Sequence, residues 1–172
     1  MNAKTRKIIF YFILFLLFCF FVNETRYINK VKCLVPIESE IKIRNDMYGD
    51  GHFAVRRNGG RKHNGVDLLA KTGTPVLAAR SGWVINAEQK RGMGKYVEIR
   101  HSDKLVTIYG HLSKILVKKG QRVRQGQIIG EVGKTGNANY RRMHAHLHFE
   151  IRKDKIPQNP TEYFQNANLS KN

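Results

Sequence analysis

The start of the chain differs from the rest in its hydrophobic pattern. An unbroken apolar run extends from Ile8 to Val22, and Lys4, Arg6 and Lys7 precede it. As a helix this run would span about 22 Å, which is shorter than the ~30 Å hydrocarbon core of a membrane. A basic start followed by a short apolar core is typical of a secretory signal, but no small residues mark a cleavage site. We therefore expect residues 1–22 to form a hydrophobic helix that is either a signal peptide or a membrane anchor.

The rest of the chain shows short runs of alternating or β-branched residues separated by glycines. Residues 23–45 are expected to be a linker or N-terminal arm, in which the alternation from Ile37 to Ile43 favours an edge strand. Residues 49–60 are glycine- and arginine-rich and are expected to be a loop. Strands are predicted at Gly65–Ala70, Pro75–Ala78, Gly82–Ala87, Tyr96–His101, Val106–Tyr109, Ile115–Val117, Arg122–Val123, Ile128–Val132 and His146–Arg152.

Short strands with glycine between them are typical of an all-β domain. We predict a single domain of antiparallel sheets over residues 46–165, arranged as a sandwich or folded sheet, with a polar tail at residues 166–172. No helix is predicted inside this domain, although Leu112–Val117 is compatible with one helical turn. The N-terminal hydrophobic helix is the expected exception to the all-β pattern.

The charge of the chain is strongly positive. Lys and Arg number 31 against 13 Asp and Glu, which gives a formal net charge of +18. Such an excess predicts an anionic partner: nucleic acid, a membrane surface or an acidic polymer. The cations are scattered among predicted strands, and no nucleic-acid-binding motif is present, so nucleic acid is not expected. The N-terminal segment instead predicts export and directs the charge toward an anionic envelope surface.

Seven histidines carry most of the candidate chemistry. His63 precedes Asp67 by four residues, and His111 lies at the end of an apolar strand. His146 and His148 alternate with Leu147 and Phe149, so a strand would place both imidazoles on one face and the apolar side chains on the other. The two cysteines, Cys19 and Cys33, both lie outside the domain, so a zinc site would have to use histidine and carboxylate ligands. Two histidines and one carboxylate, with a position left for water, are the donor set of catalytic zinc.

The remaining aromatic and histidine residues have simpler expectations. His52 falls in a polar loop, and His101 ends a predicted strand as a surface residue. Trp83 and Tyr96 are expected in the core. Tyr109, two residues before His111, is expected to line the cleft.

The motifs His63-x-x-x-Asp67, Tyr109-Gly110-His111-Leu112 and His146-Leu147-His148-Phe149-Glu150 resemble those of the M23 family of zinc metallopeptidases, the lysostaphin/LytM-type peptidoglycan endopeptidases. The resemblance extends from about Gly49 to Phe164. It includes the connecting segments Asn64–Leu68, Gly73–Val76, Ala79–Val84, Gly94–Val97 and Gly120–Gly130.

The resemblance implies one zinc ion held by His63, Asp67 and His148, with His111 and His146 as catalytic histidines that do not bind the metal. Glu150 is compatible with two roles, orienting an imidazole or lying solvated at a strand end. The implied activity is hydrolysis of peptide bonds in peptidoglycan stems or cross-links by a protein in the periplasm, cell envelope or inner membrane. The alternative is a non-catalytic LytM-type module that regulates cell-wall amidases, but members of that kind lack ligands that this chain keeps.

One loop departs from the pattern of the family. Residues 137–145 form a longer connection than usual, and His144-Ala145 stands where Gly-Pro is common. Arg141 and Arg142 make this loop cationic. By alternation His144 falls on the same face as His146 and His148, and we expect it at the rim of the cleft, in contact with substrate rather than metal.

Overall fold

The computed structural model describes residues 2–28, 32–57 and 59–164. Contacts divide the chain into one unit up to Lys32 and a second from Cys33 onward. The first unit is helix α1, Ala3–Ile28, which confirms the N-terminal helix and extends it beyond Val22. Large apolar side chains of α1 between Ile9 and Phe18 are exposed. Among the described residues, no helix combines the length and the hydropathy of a membrane span.

The second unit is built from antiparallel strands, which confirms the predicted all-β fold. In chain order the strands of the described residues are β1 Asn45–Asp46, β2 Gly49–Asp50, β3 Val66–Leu69, β4 Pro75–Leu77, β5 Gly82–Lys90, β6 Gly94–Arg100, β7 Leu105–Leu112, β8 Lys114–Ile115, β9 Arg122–Val123, β10 Ile128–Glu131, β11 His146–Lys153 and β12 Ile156–Gln158. Single 3₁₀ turns occur at Gly136–Ala138 and Pro160–Glu162. The expected polar tail, residues 166–172, lies outside the described residues.

The large sheet has the strand order β12-β11-β7-β6-β5-β9, and β3 also pairs with β11. A smaller sheet has the order β4-β10-β8. The helical turn considered for Leu112–Val117 is wrong, because Leu112 ends β7 and Lys114–Ile115 pairs with β10. The segment expected to be a loop at residues 49–60 contains β2, which pairs with β1, and an isolated bridge between Arg56 and Lys62.

Strand β11 organises the domain. Its alternating pattern places Leu147, Phe149 and Ile151 in the core, where none of them is exposed. Residue His148 lies opposite Asp67 of β3 on one side and opposite Gly110 of β7 on the other. These registers bring three separate sequence motifs to one point of the sheet.

The segment from Cys33 to Arg44 packs against the domain. Cys33 bridges to Phe164, Ile37 to Val76 and Ile43 to Leu68. These are isolated bridges, so the edge strand expected over Ile37–Ile43 does not form. The side chains of Cys33, Ile37 and Ile41 are nevertheless buried and add to the core.

Two burial predictions are wrong. Trp83, expected in the core, is 50% exposed, whereas Tyr96 is buried as predicted. His101, expected at the surface, is 6% exposed. Its Nδ1 lies 2.9 Å from the Ser81 carbonyl oxygen and its Nε2 lies 2.7 Å from Thr107 Oγ1. Both ring nitrogens therefore have partners, which makes burial of this imidazole tolerable.

Candidate metal centre

The side chains of His63, Asp67 and His148 converge on one point. His63 Nε2 lies 3.1 Å from Asp67 Oδ1, and His148 Nδ1 lies 2.9 Å from the same oxygen. The two nitrogens are 3.1 Å apart. All three residues are buried, and the sheet registers around β11 hold two of them in adjacent strands. The residues that the resemblance implies as metal ligands are thus brought together.

The outer contacts of the two imidazoles decide which atoms face this point. His63 Nδ1 lies 2.8 Å from the carbonyl oxygen of His52, and His148 Nε2 lies 3.0 Å from Glu150 Oε1. Because carbonyl and carboxylate oxygens only accept hydrogen bonds, these ring nitrogens carry the protons. In the neutral imidazoles the lone pairs of His63 Nε2 and His148 Nδ1 therefore point at Asp67 Oδ1. Three lone-pair atoms facing one another are the donor set of a cation such as zinc.

Lone pairs that face one another repel, and a bound cation removes this repulsion. A proton on His148 Nδ1 would also remove it. Burial by itself lowers the pKa of His148, but hydrogen bonds to Asp67 and Glu150 outweigh it and raise the pKa to about 9. A proton on Nδ1 then occupies the position that a cation would take. The donor set therefore fits a divalent metal ion.

The second oxygen of Asp67 is held by two arginines. Asp67 Oδ2 accepts a hydrogen bond from Arg44 Nη2 at 3.0 Å and one from Arg57 Nη2 at 2.7 Å. Burial raises the pKa of Asp67, but the close contacts of its carboxylate with the His148 and His63 rings outweigh burial and keep this pKa well below its usual value. The carboxylate is therefore ionised and fixed in orientation.

Arg44 is a member of the site that the sequence did not reveal. Its side chain is almost fully buried, and it also donates to Asp46 Oδ1. The contact between Arg44 and Asp67 joins residues 23 positions apart, so it cannot be predicted from a local spacing in the sequence. The one sequence signal is that Arg44 directly follows the alternating segment Ile37–Ile43.

Glu150 is buried between two cationic or polar partners. Its Oε1 accepts from His148 Nε2, and its Oε2 accepts from Arg152 Nε at 2.7 Å. Burial raises the pKa of Glu150, but His148 and Arg152 lower it below its usual value. With 3% exposure, Glu150 is not a solvated strand-end charge. Of the two roles left open by the sequence, its position is that of a group that orients His148.

His111 and His146 lie beside the three donors. Their ring centroids are 5.1 Å apart, and the ring of His111 is 5.6 Å from that of His148. His111 Nδ1 donates to the Thr135 carbonyl at 2.9 Å, and His146 Nδ1 donates to the His144 carbonyl at 2.7 Å. The Nε2 atom of each neutral ring is therefore an acceptor.

Both of these imidazoles are neutral at pH 7. Burial, together with the charges of His148 and His146, lowers the pKa of His111 to about 3. Burial also lowers the pKa of His146. Two neutral imidazoles with available lone pairs beside a metal-type donor set are able to accept protons from water.

The backbone at His111 explains how its side chain reaches the site. Strict alternation along β7 would place His111 on the same face as Tyr109, which packs against Phe149 in the core. His111 instead has φ of 62°, next to a register shift between β6 and β7. This left-handed conformation is unfavourable for a residue with a Cβ atom, and it turns the imidazole toward His146 and His148.

These side chains line an open cleft of about 550 Å³. Tyr109 is not among its walls. It is fully buried, and its hydroxyl accepts a hydrogen bond from the Ala79 amide at 2.8 Å and one from the hydroxyl of Thr107. The expectation that Tyr109 lines the cleft is wrong, since it faces the core.

His144 lies outside this group of imidazoles. Its side chain is 61% exposed, and its backbone amide donates to Asp46 Oδ2 at 3.1 Å. Nearby, the rings of Tyr140 and Tyr48 stack at 5.2 Å. Loop 137–145 is therefore held against the β1–β2 hairpin, and the His144 imidazole is not directed at Asp67.

Comparison with known proteins agrees with the geometry. The sequence profile of peptidase family M23 matches residues 61–160. The chain is 40% identical over 114 residues to "Lipoprotein NlpD/LppB homolog" of Pseudomonas aeruginosa, a match that covers 66% of this chain and 36% of the relative. It is 44% identical over 100 residues to "Peptidoglycan DD-endopeptidase ShyC" of Vibrio cholerae, covering 58% of this chain and 22% of the relative. The chain thus spans about a third or less of the length of these relatives.

Structural comparison leads to the same family. A zinc-containing peptidase from Vibrio cholerae superposes with a TM-score of 0.62 and 33% identity, over 74% of this chain and 39% of the other. Residues 61–160, the region matched by the family profile, contain the three donors and both neighbouring imidazoles. The chain therefore belongs to peptidase family M23.

Proposed function

We propose that this protein is a zinc-dependent endopeptidase that hydrolyses peptide bonds in the stem peptides or cross-links of peptidoglycan. The observation that carries the proposal is the convergence of His63 Nε2, His148 Nδ1 and Asp67 Oδ1 as lone-pair donors, next to the neutral imidazoles of His111 and His146. In this proposal His63, Asp67 and His148 hold one zinc ion.

A zinc ion in such a site supplies a Lewis acid that lowers the pKa of a water molecule and polarises a carbonyl group. The chain's own residues handle the protons. Nε2 of one neutral imidazole, His111 or His146, accepts the proton of the attacking water. The imidazolium formed in this way then delivers the same proton from Nε2 to the leaving amine, so the proton removed from water leaves with the product. Both assignments fit the geometry, because both Nδ1 atoms are already committed to carbonyl oxygens.

The groups behind the donors fix their orientation. Glu150 holds His148 through Nε2, and Arg152 in turn holds Glu150. Arg44 and Arg57 hold the oxygen of Asp67 that does not face the imidazoles. Outer partners of this kind commonly change metal affinity by about 10- to 100-fold when removed.

Peptidoglycan is proposed as the substrate because a relative carries that activity in its name. We also propose that this protein is exported to the periplasm or cell envelope, because its proposed substrate is located there and because its N-terminal segment resembles a secretory signal. The net charge of +18 would retain the protein at anionic envelope polymers, and this retention would weaken with salt.

The experiment that tests the proposal combines a metal measurement with an activity assay. The full chain is purified, zinc per chain is measured by mass spectrometry, and release of soluble muropeptides from purified sacculi is followed. We expect about one zinc per chain, and loss of both zinc and activity in His148→Ala. His144→Ala is the matched control, because it removes an exposed imidazole and should leave the zinc content unchanged. Activity that survives a chelator or His148→Ala would overturn the proposal.

The alternative function is a non-catalytic module that regulates cell-wall amidases. The complete donor set and the two adjacent imidazoles argue against it, since a binding module needs neither. Two assays distinguish these functions: release of muropeptides by the zinc-loaded protein, and stimulation of a purified amidase. Stimulation of the amidase without release of muropeptides would favour the regulatory module.

A further inference from the structure

One wall of the cleft is unusually cationic. Residues 54–57 and 59–63, here called the cationic hairpin, are joined by hydrogen bonds from the Ala54 amide to the His63 carbonyl and from the His63 amide to the Val55 carbonyl, both 2.9 Å long. Nearer the tip, the Arg57 amide donates to the Arg61 carbonyl at 2.8 Å. Four cations of this hairpin line the cleft: Arg56, Arg57, Arg61 and Lys62.

Acidic side chains in the cleft do not neutralise this wall. The carboxylates that line the cleft are Asp67 and Glu150, and both are buried. Asp67 is paired with Arg44 and Arg57, and Glu150 is paired with Arg152. Their charges are therefore already balanced within the site.

The other three cations of the hairpin remain available to a ligand. Arg56, Arg61 and Lys62 are exposed, and among the described residues no carboxylate lies within salt-bridge distance of them. Arg61 and Lys62 directly precede His63, so their charges are anchored next to a proposed metal ligand. The backbone bonds of the hairpin and the contact of Arg57 with Asp67 hold this wall in place.

We propose that the cationic hairpin selects substrates that carry a free carboxylate close to the scissile bond, and that it discriminates against uncharged peptides such as oligoglycine. The inference rests on the proposed endopeptidase function and specifies its substrate class. Guanidinium groups pair with carboxylates through two parallel hydrogen bonds, and a carboxylate entering this cleft finds such groups without acidic partners. A neutral peptide would leave them uncompensated.

The position of the charge distinguishes this selection from general retention at the cell wall. Retention depends on the net charge and would respond to the loss of any three exposed cations. Selection depends on the cations in the cleft. A matched control is the triple variant Lys118→Gln, Lys119→Gln, Arg124→Gln, whose three exposed side chains lie outside the cleft.

The test compares two forms of one substrate. Soluble cross-linked muropeptides are used either with free carboxylates or after conversion of those carboxylates to amides with carbodiimide and ammonia. We expect the zinc-loaded protein to cleave the free-acid form with at least tenfold higher kcat/KM. The variant Arg56→Gln, Arg61→Gln, Lys62→Gln should lose about tenfold on the free acid and little on the amide, as expected for a few exposed ion pairs.

Each outcome bears on the proposal. Equal kcat/KM for both forms in the unsubstituted protein would overturn it, and so would an equal loss in the cleft variant and the control variant, which would indicate retention only. If neither form is cleaved, the endopeptidase function fails, and binding of the product peptides is measured by calorimetry instead. Tighter binding of the free-acid product, weakened by the cleft variant alone, would still support carboxylate recognition, and equal binding would refute it.

Discussion

Replacement of Arg44 by methionine is the most informative perturbation of this site. The Arg44 side chain is 2% exposed and contacts Asp46 and Asp67, whose side chains are 5% and 4% exposed. Methionine keeps most of the apolar volume of the side chain but removes the charge. Two buried carboxylates then lose a cationic partner, and Asp67 keeps Arg57 as its arginine partner beside the His148 ring.

The expected cost follows from this burial. Removal of one partner from a buried ion pair typically costs about 3–5 kcal/mol, because the remaining charge stays buried. We expect Arg44→Met to lower the free energy of unfolding by about that amount. Arg57→Met is the matched control, since Arg57 contacts the same oxygen of Asp67 but its side chain is 24% exposed. Solvent screening should limit its cost to about 1 kcal/mol.

Urea denaturation of metal-free protein measures both free energies, and zinc titration against a competing chelator measures affinity. Zinc affinity should fall by about 10- to 100-fold in Arg44→Met, since Asp67 is less firmly oriented. The double variant Arg44→Met, Asp46→Asn should recover part of the lost stability, because it removes one of the two orphaned carboxylates. If Arg44→Met costs less than 1 kcal/mol, or if Asp46→Asn adds to the loss, the ion-pair reasoning is wrong.

Three further predictions concern strain, protonation and metal. His111→Gly should be about 1 kcal/mol more stable than His111→Ala in urea, because glycine accepts φ of 62° without a Cβ penalty; equal stabilities would exclude strain at this position. Burial lowers the pKa of His101 below 6.5, so below about pH 6.5 the unfolded chain binds a proton that the native chain does not. Stability should therefore fall as the pH drops through that range, and His101→Gln should flatten the pH profile of unfolding; an unchanged profile would contradict this. Zinc at about 100 times its dissociation constant should raise the free energy of unfolding by about 2.7 kcal/mol in calorimetry, and His63→Ala should abolish the effect; a zinc shift that survives in this variant would place the metal elsewhere.

The sequence predicted the features that depend on local pattern. The alternation at His146–Arg152 predicted strand β11, which ends one residue later, and it separated the imidazoles from Leu147 and Phe149 correctly. The spacing of His63 and Asp67 is a weak signal by itself, and it was the family resemblance that implied these two residues as ligands together. The alternation is a local signal because the two-residue period of a strand fixes which side chains share a face.

The features that the sequence missed depend on tertiary contacts. Burial of His101 requires Ser81 and Thr107 from other segments, and no pattern around His101 reveals them. Trp83 shows the opposite error, because a large apolar residue predicts burial only weakly. Tyr109 was placed in the cleft because it neighbours His111, whereas its register opposite Phe149 sends it to the core.

The arrangement of β7 shows why the site needs both a glycine and a strained histidine. Gly110 lies directly opposite His148, and a Cβ atom there would come within 3.4 Å of the His148 Cβ and 3.3 Å of Met93 Cε. A side chain at this position would therefore press on the strand that carries a proposed ligand. Gly110 avoids this contact, and the positive φ of His111, the next residue along the strand, turns its imidazole toward His146 and His148. The unfavourable backbone at His111 is thus the cost of placing a second neutral imidazole within 5.6 Å of His148 without crowding it.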